Sequence, residues 1–267
     1  MASPPGAAGI YRAARGTAVG MPTPSESVAA GAAVAVAGAA AVLTRRRGAR
    51  LLHPTGRSFT AEVMIWGTPG PPTGVALLDE PGRHRATVRF SRGVPTPDGW
   101  PDVLGLAVRL HLADARAFDL LVSSSGAAPV LRNVPLPRRR FAGTYSTIMP
   151  FRVGTRRLWL AALADPDSPD LGRSLAEVAA ATRADAPRLV LAVASAVGPW
   201  RPFGQVTLGG QLDARTDAAL AFDPVRNLPA GLRVVGPLAW LREQTYRGSR
   251  RARGAVDQSG GSIGVAV

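Results

Sequence analysis

From Phe59 onward the chain alternates. Phe59, Ala61, Val63 and Ile65 are interleaved with Thr60, Glu62, Met64 and Trp66. A period of two puts one set on each face of a strand, so this stretch must lie in a sheet with one apolar side. Further strand patterns fall at 84–91, 105–112, 117–123 and 155–162. Turn-forming runs separate them, among them Thr68-Pro69-Gly70-Pro71-Pro72 and Pro95-Thr96-Pro97-Asp98-Gly99. Short strands joined by such turns predict an antiparallel sheet or barrel. The pattern then changes. Asp170 is read as the cap of a helix carrying Leu171, Leu175, Val178 and Thr182. Asp185 is read as the cap of a second, with Pro187 in its first turn and Leu189, Val193 and Ala196 inward. Gly198-Pro199 closes it, and 203–212 reads as a returning strand. A last helix opens at Pro237. The chain is therefore placed in the α+β class.

The flanks read differently. Residues 1–27, rich in Pro, Gly, Ala and Ser, are read as a flexible leader, and Met21 offers an alternative start. Residues 28–48 are read as a helix of small residues packed on the domain. The uncharged run from Val28 to Leu43 is shorter than the ~20 apolar residues of a membrane span. A cytoplasmic protein is thus expected, with membrane association or export through residues 28–47 as the alternative. The main domain is assigned to 49–253 and a Gly/Ser-rich tail to 254–267.

Composition excludes several functions. The net charge is +14, yet all 32 basic residues are arginine, in keeping with a GC-rich coding bias. They are scattered, and aromatic residues are only 6% of the chain. No basic block interleaved with stacking aromatics is present, so no specific nucleic-acid partner is expected. With no cysteine, disulfides, thiolate metal sites and cysteine nucleophiles are excluded.

Five places carry candidate chemistry. Arg242 precedes Tyr246 by four residues, a spacing that stacks both on one helix face. A guanidinium there favours the phenolate, which can ligate ferric iron; among haem proteins a tyrosine ligand marks catalases. Arg50-Leu51-Leu52-His53-Pro54-Thr55-Gly56 places a histidine at a strand end, where it can move protons near neutrality, although a lone histidine is more often structural. Val88-Arg89-Phe90-Ser91 offers a hydroxyl that can orient an imidazole, against the plainer reading of an ordinary strand. Phe118-Asp119-Leu120-Leu121-Val122-Ser123-Ser124-Ser125-Gly126 carries a serine run next to glycine, which is usually a turn. As a nucleophile it lacks a base, since neither His84 nor His111 sits in a recognisable motif. The fifth place is Phe222-Asp223-Pro224. The acidic stretch Asp165-Pro166-Asp167-Ser168-Pro169-Asp170 raises a serine or metal-dependent hydrolase as a competing class, but helix capping explains it more simply.

These pieces in order resemble the haem-catalase superfamily: Arg50-x-x-His53-x-x-Gly56, Val88-Arg89-Phe90-Ser91, Gly105-Leu106-Ala107-Val108-Arg109, Asp119-Leu120-Leu121, Phe222-Asp223-Pro224 and Arg242-x-x-x-Tyr246. Gly198-Pro199-Trp200 with Gln205-Val206 is similar to the family's strand after its helical section. The resemblance covers 49–253 and is to the short, catalase-related forms. It implies a catalase-like antiparallel β-barrel core with packed helices, and a haem b (iron) cofactor. His53 would be the distal acid/base, Ser91 its orienting partner and Leu52 the apolar residue beside it. Tyr246 would be the iron ligand, kept ionised by Arg242. Arg50, Arg89 and Arg253 would meet the haem propionates, with solvated surface charge as the alternative for Arg50 and Arg253. Phe141 would be the aromatic stacked on the haem. The implied activity is catalase- or peroxidase-type cleavage of hydrogen peroxide or an organic hydroperoxide. No NADPH site is expected, and a homo-oligomer is compatible.

Two departures bear on that activity. Ser123 stands where catalases place an asparagine that donates to peroxide, and serine is shorter and differently directed. The family's paired phenylalanines give way to Ala128-Pro129-Val130-Leu131-Arg132. A catalase-fold protein that binds haem, or only keeps the fold, without peroxide turnover is therefore the second reading.

Overall fold

The computed structural model describes residues 55–93, 99–113, 115–224 and 226–235. Ten strands form one antiparallel system: β1 Thr55–Ile65, β2 Gly82–Arg92, β3 Leu104–His111, β4 Ala117–Ser124, β5 Thr144–Ser146, β6 Phe151–Val153, β7 Arg156–Ala164, β8 Arg188–Ala194, β9 Arg201–Gln211 and β10 Arg233–Val234. Eight of them close on themselves in the order β1-β2-β3-β4-β5-β7-β8-β9, because β9 pairs with β1 and β7 with β8. β6 and β10 extend the sheet beyond β7. Closure leaves no edge among those eight strands for another chain to pair with. The α+β antiparallel barrel expected from the strand pattern is present.

The alternating residues sort as their period requires. Phe59, Val63, Ile65, Val88, Phe90, Leu106, Val108, Leu120 and Val122 point inward and are almost wholly buried. Phe59, Phe90 and Phe141 form an aromatic column, each neighbouring pair meeting edge-on with ring centroids about 6 Å apart. Tyr145 joins this core and donates its hydroxyl to Phe141 O at 2.8 Å. Burial pushes the Tyr145 phenol far up, so it stays protonated. Outside the barrel wall a second, smaller cluster gathers Trp159, Ala161, Ala192, Ala194 and Trp200.

Two helix expectations are corrected. The helix read from Asp170 starts later, as α2 over Leu175–Ala184, after the four-residue α1 at Ala76–Asp79. Its cap is Ser174, which accepts from Glu177 N, while Glu177 reaches back to Arg173 N. Asp170 instead pairs with Arg140 and accepts from Gly172 N. Gly172 holds φ +75, outside the range of a continuing helix. The second helix is absent: residues 188–194 form β8 between β7 and β9. Leu189, Leu191 and Val193 face the core while Ala192 and Ala194 lie under the two tryptophans. A strand buried on both sides reads as a continuous apolar run and loses its alternation. A short helix not expected from sequence, α3 Ala214–Ala219, follows β9 and is capped by Asp213. No helix among the described residues is long and apolar enough to cross a membrane.

Candidate functional site

Directly opposite residues of paired strands share a face of the sheet. On that rule one row can be traced across six neighbouring pairings: Gly56, Ser91, Gly105, Ser123, Ser146, Ala161 and Ala192 stand opposite one another in turn. All lie on the outer face, since Phe90, Leu106 and Val122 between them point inward. No side chain in this row is larger than serine, so the outer wall is flat there. The two predicted serines are thus one strand apart, with Gly105 between them. Ser91 donates weakly to Gly105 O at 3.3 Å, which leaves its oxygen lone pairs available. Ser123 is half-buried and its hydroxyl makes no hydrogen bond among the described residues. Ser124, next to it, points the other way and is fully engaged, accepting from Leu104 N and donating to Leu136 O.

Two residues further along β2, on the same outer face, stands Arg89. It is buried to 8% exposure, and Gly56 leaves the room it occupies: a Cβ there would sit 2.5 Å from the Arg89 Cζ. Arg89 Nε is 3.5 Å from Asp217 Oδ1, and Ser58 donates to that same carboxylate. Asp217 is on α3, so this helix crosses the outer wall at the level of Arg89.

One step further down lies the Arg109–Asp119 pair, roughly 13 Å from the serine row at the rise of a strand. Arg109 grips Asp119 with two bonds, at 2.7 and 2.6 Å. Asp119, fully buried, also accepts from Asp223 N at 2.6 Å and Asn227 Nδ2 at 2.8 Å. Arg109 donates to Ala221 O and stacks over Phe222. The Asp119 carboxylate raises the Arg109 pKa further, against the opposing pull of burial. Three sequence motifs far apart in the chain, around Arg109, Asp119 and Phe222-Asp223, therefore meet at one anchor. It pins Ala221, Asp223 and Asn227 across the lower outer wall and leaves the serine row above them.

The other predicted site residues separate into two groups. Phe141 is not brought to the serines: it is wholly buried, with its ring against Phe90 on the inner side of the wall. Arg50, Leu52, His53, Arg242, Tyr246 and Arg253 lie outside the described residues, as do the leader, the 28–48 segment, the helix from Pro237 and the tail. The hydrolase reading has no support in the geometry. Ser124 and Ser125 bond no histidine among the described residues, and Asp165 is engaged by Arg188 and Gln205 at 3.0 Å each. His111 faces Thr87 at 3.0 Å, and burial with Arg109 and Arg85 nearby lowers its pKa. Asp217, Ser58 and Asn227 were not legible as site residues, because their partners are more than a hundred residues away in sequence.

A closed eight-stranded antiparallel barrel with few helices resembles the catalase core. The chain aligns with the crystal structure of a fungal catalase at a TM-score of 0.54 and 13% identity, over 78% of this chain and 60% of that one. A bacterial catalase aligns at 0.48 and 14% identity, over 75% and 56%. At such identity the likeness to the fungal protein shows a shared fold, and the chain spans about three fifths of that protein's length. No family model matches the sequence, and no curated protein matches it.

Proposed function

We propose that the protein binds haem b against the outer wall of β1–β4 and acts on hydroperoxides. The observation that carries this reading is the in-register row Gly56-Ser91-Gly105-Ser123 with Arg89 beside it, on a barrel of the catalase fold. The donor set suits the group. A flat wall of glycine and serine accommodates a planar macrocycle, hydroxyls at Ser91 and Ser123 face the side where a peroxide would lie, and a guanidinium at Arg89 suits a propionate.

Haem iron, when bound, supplies the redox centre at which a hydroperoxide O–O bond is cleaved. The chain's residues do the rest. Tyr246 would ligate the iron and Arg242 would hold its phenol ionised. Arg50, Arg89 and Arg253 bind the propionates. His53 would take the proton from one oxygen of the hydroperoxide and return it to the oxygen that leaves, with the Ser91 hydroxyl holding its ring. Leu52 keeps water from that space. Ser123 donates to the peroxide from further away than an asparagine would, which favours bulkier organic hydroperoxides over hydrogen peroxide.

Ser123 in place of the asparagine that the resemblance implies also favours a second reading, haem binding without turnover. Oxygen release and organic-donor oxidation by the haem-loaded full chain separate the two. Turnover of an organic hydroperoxide that His53→Ala lowers by about 10²-fold or more supports the enzyme. No turnover in the wild type, with oxygen release restored by Ser123→Asn, supports the non-catalytic binder.

A further inference from the structure

Arg89 already has a carboxylate beside it. Asp217 reaches it from α3, with Oδ1 3.5 Å from Nε, and Ser58 of β1 holds the same carboxylate by a hydrogen bond. The Arg89 and Asp217 side chains are 9% and 19% exposed, so solvent screens the pair only partly. A ligand carboxylate arriving at Arg89 enters a space where a negative charge of the protein's own already sits. We propose that Asp217 is a built-in occupant of Arg89, which a carboxylate-bearing planar ligand must displace, so that Asp217 sets how tightly the outer wall binds such a ligand. The proposal rests on the haem reading above.

The fold suits an occupant that can leave. Helix α3 has six residues and buries none of them. Its C-terminal side runs into the 221–227 segment, which is fixed separately by Asp119. Asp217 can therefore move from Arg89 without disturbing the core. In its absence the nearly buried Arg89 has one negative neighbour fewer, and a ligand carboxylate there meets less repulsion. A permanent structural ion pair would behave in the opposite way: removing Asp217 would loosen Arg89 and weaken ligand binding.

Haemin and haemin dimethyl ester, whose propionates are blocked, separate these cases in absorbance titrations of the full chain. Asp217→Asn keeps the acceptor for Ser58 but removes the charge. It is expected to bind haemin about tenfold more tightly than the wild type, the size of effect a neighbouring like charge exerts on a carboxylate. Affinity for the dimethyl ester is expected to stay unchanged, and Asp217→Glu to restore wild-type affinity for haemin. Asp217→Ser, measured in parallel, carries the same expectation should the asparagine variant fold poorly. In thermal melts the asparagine variant alone should melt below the wild type and gain more on adding haemin. Haemin binding by Asp217→Asn that equals or falls below that of the wild type overturns the proposal and leaves haem binding standing. Haemin binding by neither protein overturns both.

Discussion

Single side chains hold this wall together through charge placed where water is scarce. Asp119 is the clearest case, with both oxygens engaged by donors from β3 and from residues 223 and 227. Asp119→Asn leaves the Arg109 guanidinium without its counter-charge and is expected to cost about 3–5 kcal/mol, read from the urea midpoint. Tyr145→Phe removes one buried hydrogen bond to Phe141 O and should cost only about 1 kcal/mol. A small acid-dependent component comes from Asp79. Burial raises its pKa, but hydrogen bonds from Thr68, Thr73 and Gly74 outweigh this and hold it below the usual carboxylate range. Its folded pKa is thus depressed, so it stabilises the fold above the unfolded carboxylate pKa, near 4, and that contribution disappears as pH falls further. Asp79→Asn should flatten the loss of stability between about pH 4 and pH 2 relative to the wild type, measured by thermal melts across that range.

Elements follow from sequence where one face meets water and fail to do so where neither does. β1 is legible because Thr60, Glu62 and Met64 alternate with buried residues. β2 to β4 keep enough of that pattern to be found. β8 does not: Leu189 to Ala194 is apolar throughout, because the outer face of β8 is covered by Trp159 and Trp200. A helix of that length and a doubly buried strand share one composition. The start of α2 is hard to read from sequence for a different reason. Asp170 and Ser174 are both good caps, and the decision lies with Gly172 at positive φ and with Glu177, three residues after Ser174. Ser174→Ala is expected to cost about 1 kcal/mol, checked by thermal melt, while Asp170→Ala should cost less than half of that, as an exposed pair with Arg140 contributes little.

At the scale of the whole molecule, strand register brings some separated stretches of sequence together. Ser91, Gly105 and Ser123 belong to separate stretches of sequence, and the antiparallel register of β2, β3 and β4 aligns them in one row on the outer wall. The contact that ties Asp223 and Asn227 to Asp119 on that wall is not legible in the sequence, because only the fold makes these residues neighbours. Phe141 was read as part of the pocket, but its ring packs with the core column, since a phenylalanine carries no sign of which side of a wall it will take. The central claim is that this wall holds haem with Tyr246 as its iron ligand. The absorption spectrum of the haem-reconstituted full chain, recorded beside that of Tyr246→Phe, tests it most directly. The account predicts a stoichiometric Soret band in the wild type that shifts or collapses in the variant. A wild-type protein with no Soret band, or one whose band Tyr246→Phe leaves unchanged, would contradict it.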